Sequence, residues 1–178
     1  MAAVVAGGLF FLGQGGELVF GDDNRAVFVL LVAFLGIAIL AFGVAFHGLR
    51  DALRGSRAGR IGATIGLVGV AFLVAFAVQL SVAAATTGQV PENFILFAIG
   101  FLLVFVAHLV IARPLRALVG SAWWLSLVAG VSLLAALVVN EIFIWHDLAL
   151  FVFEGCWVAL GLLLLKQPAP VQAETATA

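Results

Sequence analysis

Charge is what this sequence has least of. Only 10% of its residues are charged and 65% are apolar, where a soluble domain carries roughly a quarter charged. A soluble core of 178 residues has too little interior to absorb that much apolar surface, because surface-to-volume scaling limits the buried fraction. Lipid is the remaining solvent. Cysteine is nearly absent as well. Cys156 stands alone, which excludes an intramolecular disulfide, and no Cys/His spacing suggests zinc. Lysine is reduced to Lys166, beyond the last apolar stretch, so a Schiff-base lysine inside a bundle is excluded. Gly-x-Ser-x-Gly, His-Glu-x-x-His and a phosphate-cradling glycine loop with Lys are all missing. The net charge of −1 points to no nucleic-acid or acidic partner. The expectation is a non-enzymatic protein with no cofactor and no metal.

What is present is apolar length. A helix needs about 20 apolar residues to cross a hydrocarbon core of roughly 30 Å. Six stretches meet or approach that: 2–20, 26–49, 61–85, 94–111, 118–139 and 148–165. The expected fold is therefore all-α, a polytopic transmembrane bundle of six membrane-spanning helices with short loops and no soluble domain. No basic residue precedes the first stretch, so it reads as a retained span and not as a secretory signal peptide. Residues 166–178, rich in Pro, Ala and Thr, read as a disordered cytoplasmic tail. Gly62-x-x-x-Gly66 has the spacing that lets two helices approach closely, although a chain with 20 glycines produces such spacings by chance. Ser126-x-x-x-Gly130 and Ser132-x-x-x-Ala136 are further candidate packing faces.

Direction comes from the run Arg50 to Arg60. Arg50, Arg54, Arg57 and Arg60 are four of the eight basic residues, and a bilayer does not readily translocate such a loop. With both termini inside, the inner segments hold those four together with Arg113, Arg116 and Lys166, and the outer loops hold only Arg25. Asp22, Asp23, Glu92, Glu141 and Asp147 then fall in outer connections. Seven basic residues against one is the positive-inside pattern. Arg in preference to Lys, with abundant Ala, Gly, Val and Leu, fits a GC-rich bacterial genome. The expected location is a bacterial plasma (inner) membrane, with the lipid bilayer as the principal partner.

Polar side chains inside spans are costly and each asks for a reason. One group is expected near the outer side: Gln14 and Glu17, Gln79, and Glu154. Gln14 and Glu17 share a helix face at a spacing of three. Glu154 is placed about two turns inside the outer end of the last span, too short to reach the interface. Its structural reading is a carboxyl bonded to a backbone carbonyl or to Gln79. Its functional reading is a proton or cation site in an outward-facing cavity shared with Gln14, Glu17 and Gln79. On that basis Glu154→Leu is expected to destabilise by leaving Gln79 without a partner. The second group, His47 and His108, is expected near the inner interface at matched depth, with His47 and Asp51 paired along the helix at a spacing of four.

Three functions follow. The first is a non-enzymatic membrane protein of structural or associative role. The second is a small proton-linked transporter around Glu154 for an unspecified ion or small molecule. Six short-looped spans leave little room for a pathway, so that reading implies a homo-oligomer. The third is a b-type haem protein ligated by His47 and His108, since two imidazoles on two helices at one depth are what bis-histidine ligation requires.

Overall fold

The computed structural model describes residues 1–9, 25–86, 93–138 and 143–166. Within them the chain is helical. A segment at 2–9 is followed by α1 (Arg25–Ala52), α2 (Arg57–Thr86), α3 (Ile95–Val119), a 3-10 turn at Gly120–Trp123, α4 (Trp124–Val138) and α5 (Phe143–Leu165). Five helices stand where six spans were expected. The first expected span is helical over 2–9, and its remainder lies outside the described residues, as do residues 167–178 of the expected tail. Four stretches are long and apolar enough to cross a membrane: Val32–Ala52, Arg57–Ala83, Ile95–Val138 and Asp147–Leu165. The third of these is 44 residues long, about 66 Å at 1.5 Å per residue. That is twice a hydrocarbon core, and it is folded back on itself at the 3-10 turn between α3 and α4.

The helices run past the boundaries that charge and proline suggested. The arginine loop expected over eleven positions shrinks to Leu53–Ser56. Arg is a good helix former, and Arg50 sits in the last turn of α1, where the helix dipole favours a cation. Ser56 starts α2 by accepting the Gly59 N–H on its hydroxyl at 3.1 Å, the bond of an N-cap. The fourth span was expected to end at Ile111, before a basic turn that contains Pro114. Instead α3 carries Pro114 inside it and continues to Val119. Ile111 and Leu115, on either side of the proline, are fully buried, so packing holds the helix together through the missing backbone bond. The stop comes at Gly120, whose φ of +57° is a left-handed conformation that glycine adopts without a Cβ clash.

Sequential helices pack side by side, α1 on α2, α2 on α3, α3 on α4 and α4 on α5. The segment 2–9 lies against α5, with Gly7 beside Val158 and Val4 beside Gly161. The order of these contacts makes it antiparallel to α5. The Gly62/Gly66 pair is a real packing device and not an accident of composition. A Cβ on Gly62 would stand 2.6 Å from Ile111 of α3, and one on Gly66 would strike the Phe46 ring of α1. One short motif thus seats two neighbours, one turn apart along the same face of α2. Ser126, Gly130, Ser132 and Ala136 are all buried on α4, so both small-residue spacings there are packing faces too. The outer surface is apolar: Leu30, Leu40, Val78, Ile95, Leu102 and Val131 are exposed. In water a surface of that kind marks an interaction site; around a bundle of spanning helices it faces acyl chains.

Candidate functional site

Two buried polar sites lie near the middle of long apolar helices, and the extra helix length explains why both are farther from a helix end than expected. His108 was placed near the inner interface; because α3 continues to Val119, it stands near the middle of that helix. Glu154 was placed two turns from the outer end. Because α5 begins at Phe143 and ends at Leu165, Glu154 is eleven residues from either end, about 16 Å at 1.5 Å per residue.

At the first site, His108 Nδ1 lies 3.1 Å from the Ser126 hydroxyl. That hydroxyl donates to the His108 backbone carbonyl at 3.0 Å. The Trp157 indole N–H donates to His108 Nε2 at 3.2 Å. An indole nitrogen can only donate. Nε2 is therefore the acceptor, the ring proton sits on Nδ1, and Nδ1–H donates to the serine oxygen. Every polar atom of the three side chains is used, and the imidazole is neutral. Rings close around it: Phe46 and Phe153 stand edge-on to His108 at centroid distances of 5.9 and 5.8 Å, and Phe42 and Phe46 meet Trp157 at 4.9 and 5.2 Å. Such contacts add about 0.5–1.5 kcal/mol each beyond area burial. Three helices, α3, α4 and α5, are joined here, and α1 lends the aromatic wall.

His47 does not share this site. Its side chain is 66% exposed and pairs with Asp51 at 3.8 Å, the spacing-of-four pair the sequence predicted. His108 is buried, with neither nitrogen open to a metal. The two imidazoles expected at matched depth do not face one another, and His108 is a core group instead of an interface group.

The second site is on α5. Glu154 faces inward as expected and is 0% exposed. Gly7 of the N-terminal segment approaches its backbone carbonyl closely, at 2.9 Å from a built Cβ. Neither carboxyl oxygen of Glu154 has a hydrogen-bond partner among the described residues. The expected bond to Gln79 is not made, and Gln79 is half-buried on α2. Gln14 and Glu17 lie outside the described residues. Asp147, read as an outer-loop charge, is instead inside α5 and buried. It is seven residues from Glu154, two turns along the same face.

Comparison with family models, with curated proteins and with solved structures finds no match. The site itself must carry the functional argument.

A cavity of about 770 Å³ lies between the N-terminal segment, α1, α3 and α5. Met1, Asp51 and Arg54 are at one end of it, and His108 and Trp157 at the other. It opens beside the arginine-rich turn. The expected cavity was to open at the opposite side and to be lined by Gln79 and Glu154; neither lines this one. Trp157 is three residues, one helical turn, from Glu154. Sequence reasoning missed Ser126 and Asp147 as buried polar groups and Trp157 as a donor. The available signal was that buried Ser, Trp and His side chains in lipid satisfy one another across helices.

Proposed function

We propose that this chain is a six-span protein of a bacterial inner membrane, with both termini cytoplasmic, that works as a small proton-linked carrier and performs no chemistry on its solute. Glu154 is the proton-carrying group. Asp147 is the outer station on the same helix face, two turns from Glu154.

The observation that carries this reading is the buried carboxyl at the centre of α5, which has no hydrogen-bond partner among the described residues. A charge there costs about 3 kcal/mol on insertion scales, and acids kept at such depth belong by default to ion and proton pathways. An acid held purely for structure would be hydrogen-bonded, as His108 is. Placing the N-terminus on the cytoplasmic side is supported by Met1 sharing a cavity end with Arg54, and the basic asymmetry supports the rest of the topology.

The test is proton flux. Protein in liposomes with an entrapped pH dye and a potassium-clamped potential should dissipate an imposed pH gradient faster than protein-free liposomes. Glu154→Gln keeps the shape and removes the titration, so it should return the rate to background. A wild-type rate equal to background would overturn the proposal. Orientation is checked separately by cysteine labelling at Ser56, where an impermeant reagent added outside whole cells should fail.

A further inference from the structure

The cavity at the inner end has a chemistry that selects its occupant. Its far end is formed by His108 and Trp157, the two side chains whose hydrogen bonds are already spent on each other and on Ser126. A polar solute reaching that end would lose water and gain no partner, at a cost of a few kcal/mol per group. Hydrocarbon loses nothing there. The walls agree: Ala45, Leu49, Ile111, Leu115 and Leu160 line the cavity. Along α3 the lining runs from His108 to Leu118, ten residues or about 15 Å. That is half of a hydrocarbon core of roughly 30 Å, the depth of a single leaflet.

The open end differs in kind. Arg54 and Asp51 are there. Asp51 is taken by His47 at 3.8 Å, while no carboxylate among the described residues lies within ion-pair distance of Arg54. An unpaired guanidinium at the inner membrane edge attracts anionic head groups, and its fork geometry matches carboxylate or phosphate. The volume of about 770 Å³ is in the usual range for a small-molecule site.

We infer that this cavity binds an anionic amphiphile, with the hydrocarbon tail reaching the His108–Trp157 end and the carboxylate or phosphate head at Arg54. This names the solute class of the carrier proposed above and takes its physiological meaning from that reading. Binding is nevertheless measured without transport, so either can fail alone.

Trp157 at the cavity end is the reporter. In a variant carrying Trp123→Phe, Trp124→Phe and Trp145→Phe, a fatty acid brominated along its tail should quench Trp157 fluorescence saturably in nanodiscs. Gly48 lines the cavity, and a Cβ added there meets nothing within 4 Å. Gly48→Phe should therefore enter open space at its Cβ, fill the cavity and abolish quenching. Arg54→Gln, at an exposed position with no fold to disturb, should weaken the apparent affinity by about tenfold, the loss of one charge-assisted contact. Brominated phosphatidylglycerol in place of the fatty acid separates the sources. Saturable quenching by it, lost in Gly48→Phe, would identify the amphiphile as a bilayer lipid. Three results would overturn the inference. One is quenching that does not saturate. A second is quenching that survives Gly48→Phe, which would mean ordinary contact with bulk lipid. The third is equal quenching by a brominated uncharged alcohol that Arg54→Gln leaves unchanged.

Discussion

His108 and Glu154 are both polar, both fully buried and both near the middle of a spanning helix. They differ in one respect. Around His108 every donor and acceptor is matched, by Ser126, by a backbone carbonyl and by Trp157. Around Glu154 both oxygens are left unmatched by the described residues. A matched polar cluster in lipid is a clamp: it fixes which helices meet and at what register. An unmatched one costs stability and brings none back, so a stability argument cannot account for it. Depth alone does not separate structural from functional polar groups in this bundle. Satisfaction does.

The contrast yields graded predictions. The largest effect belongs to His108→Ala, which empties an imidazole-sized space and strands the Trp157 N–H, while the Ser126 hydroxyl keeps its bond to the backbone carbonyl of residue 108. We expect a loss of about 3–5 kcal/mol, from the cavity and the unsatisfied donor together, read as a steep fall in thermal midpoint in detergent. Next is Trp157→Phe. It keeps an aromatic ring among Phe42, Phe46 and Phe153, removes the donor to Nε2 and leaves a small space where the indole's second ring stood. A loss of about 1–3 kcal/mol is expected for an acceptor left bare, and an unchanged midpoint would show that the cluster is not a clamp. Glu154→Leu should move the other way. With no bond to Gln79 to break, replacing a carboxyl that no described residue satisfies by hydrocarbon should leave the midpoint unchanged or raise it, by up to about 3 kcal/mol, while proton flux is lost. That reverses the expectation from sequence, and a clear destabilisation would show that the carboxyl is satisfied after all. The smallest effect is His47→Ala. An exposed pair such as His47–Asp51 contributes about 0–1 kcal/mol, so the midpoint should barely move.

The fold class was legible because it rests on long apolar runs, which no local detail disguises. The pairing of His47 with Asp51 was legible because it is local along one helix. The depths were not. Residues 112–116 read as a basic turn, yet buried Ile111 and Leu115 carry α3 through Pro114, and this moves His108 from the interface to the core. Asp147 read as a loop charge, yet α5 absorbs it, and this moves Glu154 from two turns inside to the midpoint. Each boundary error of a few residues became a depth error of several ångströms. The pairing of His108 with Ser126 and Trp157 joins positions 18 and 49 residues apart, and no periodicity within a single helix reports such a meeting. The Gly62/Gly66 spacing gave no hint that its two glycines serve different neighbours.

The central claim is that Glu154 is a working proton site and His108 a structural one. The carboxyl infrared band of the protein in lipid tests it most directly. A protonatable Glu154 gives a band that changes as pH is varied, that disappears in Glu154→Gln and that persists in Trp157→Phe. A carboxyl band identical in the wild type and in Glu154→Gln, or one that Glu154→Gln removes but pH never alters, would contradict it.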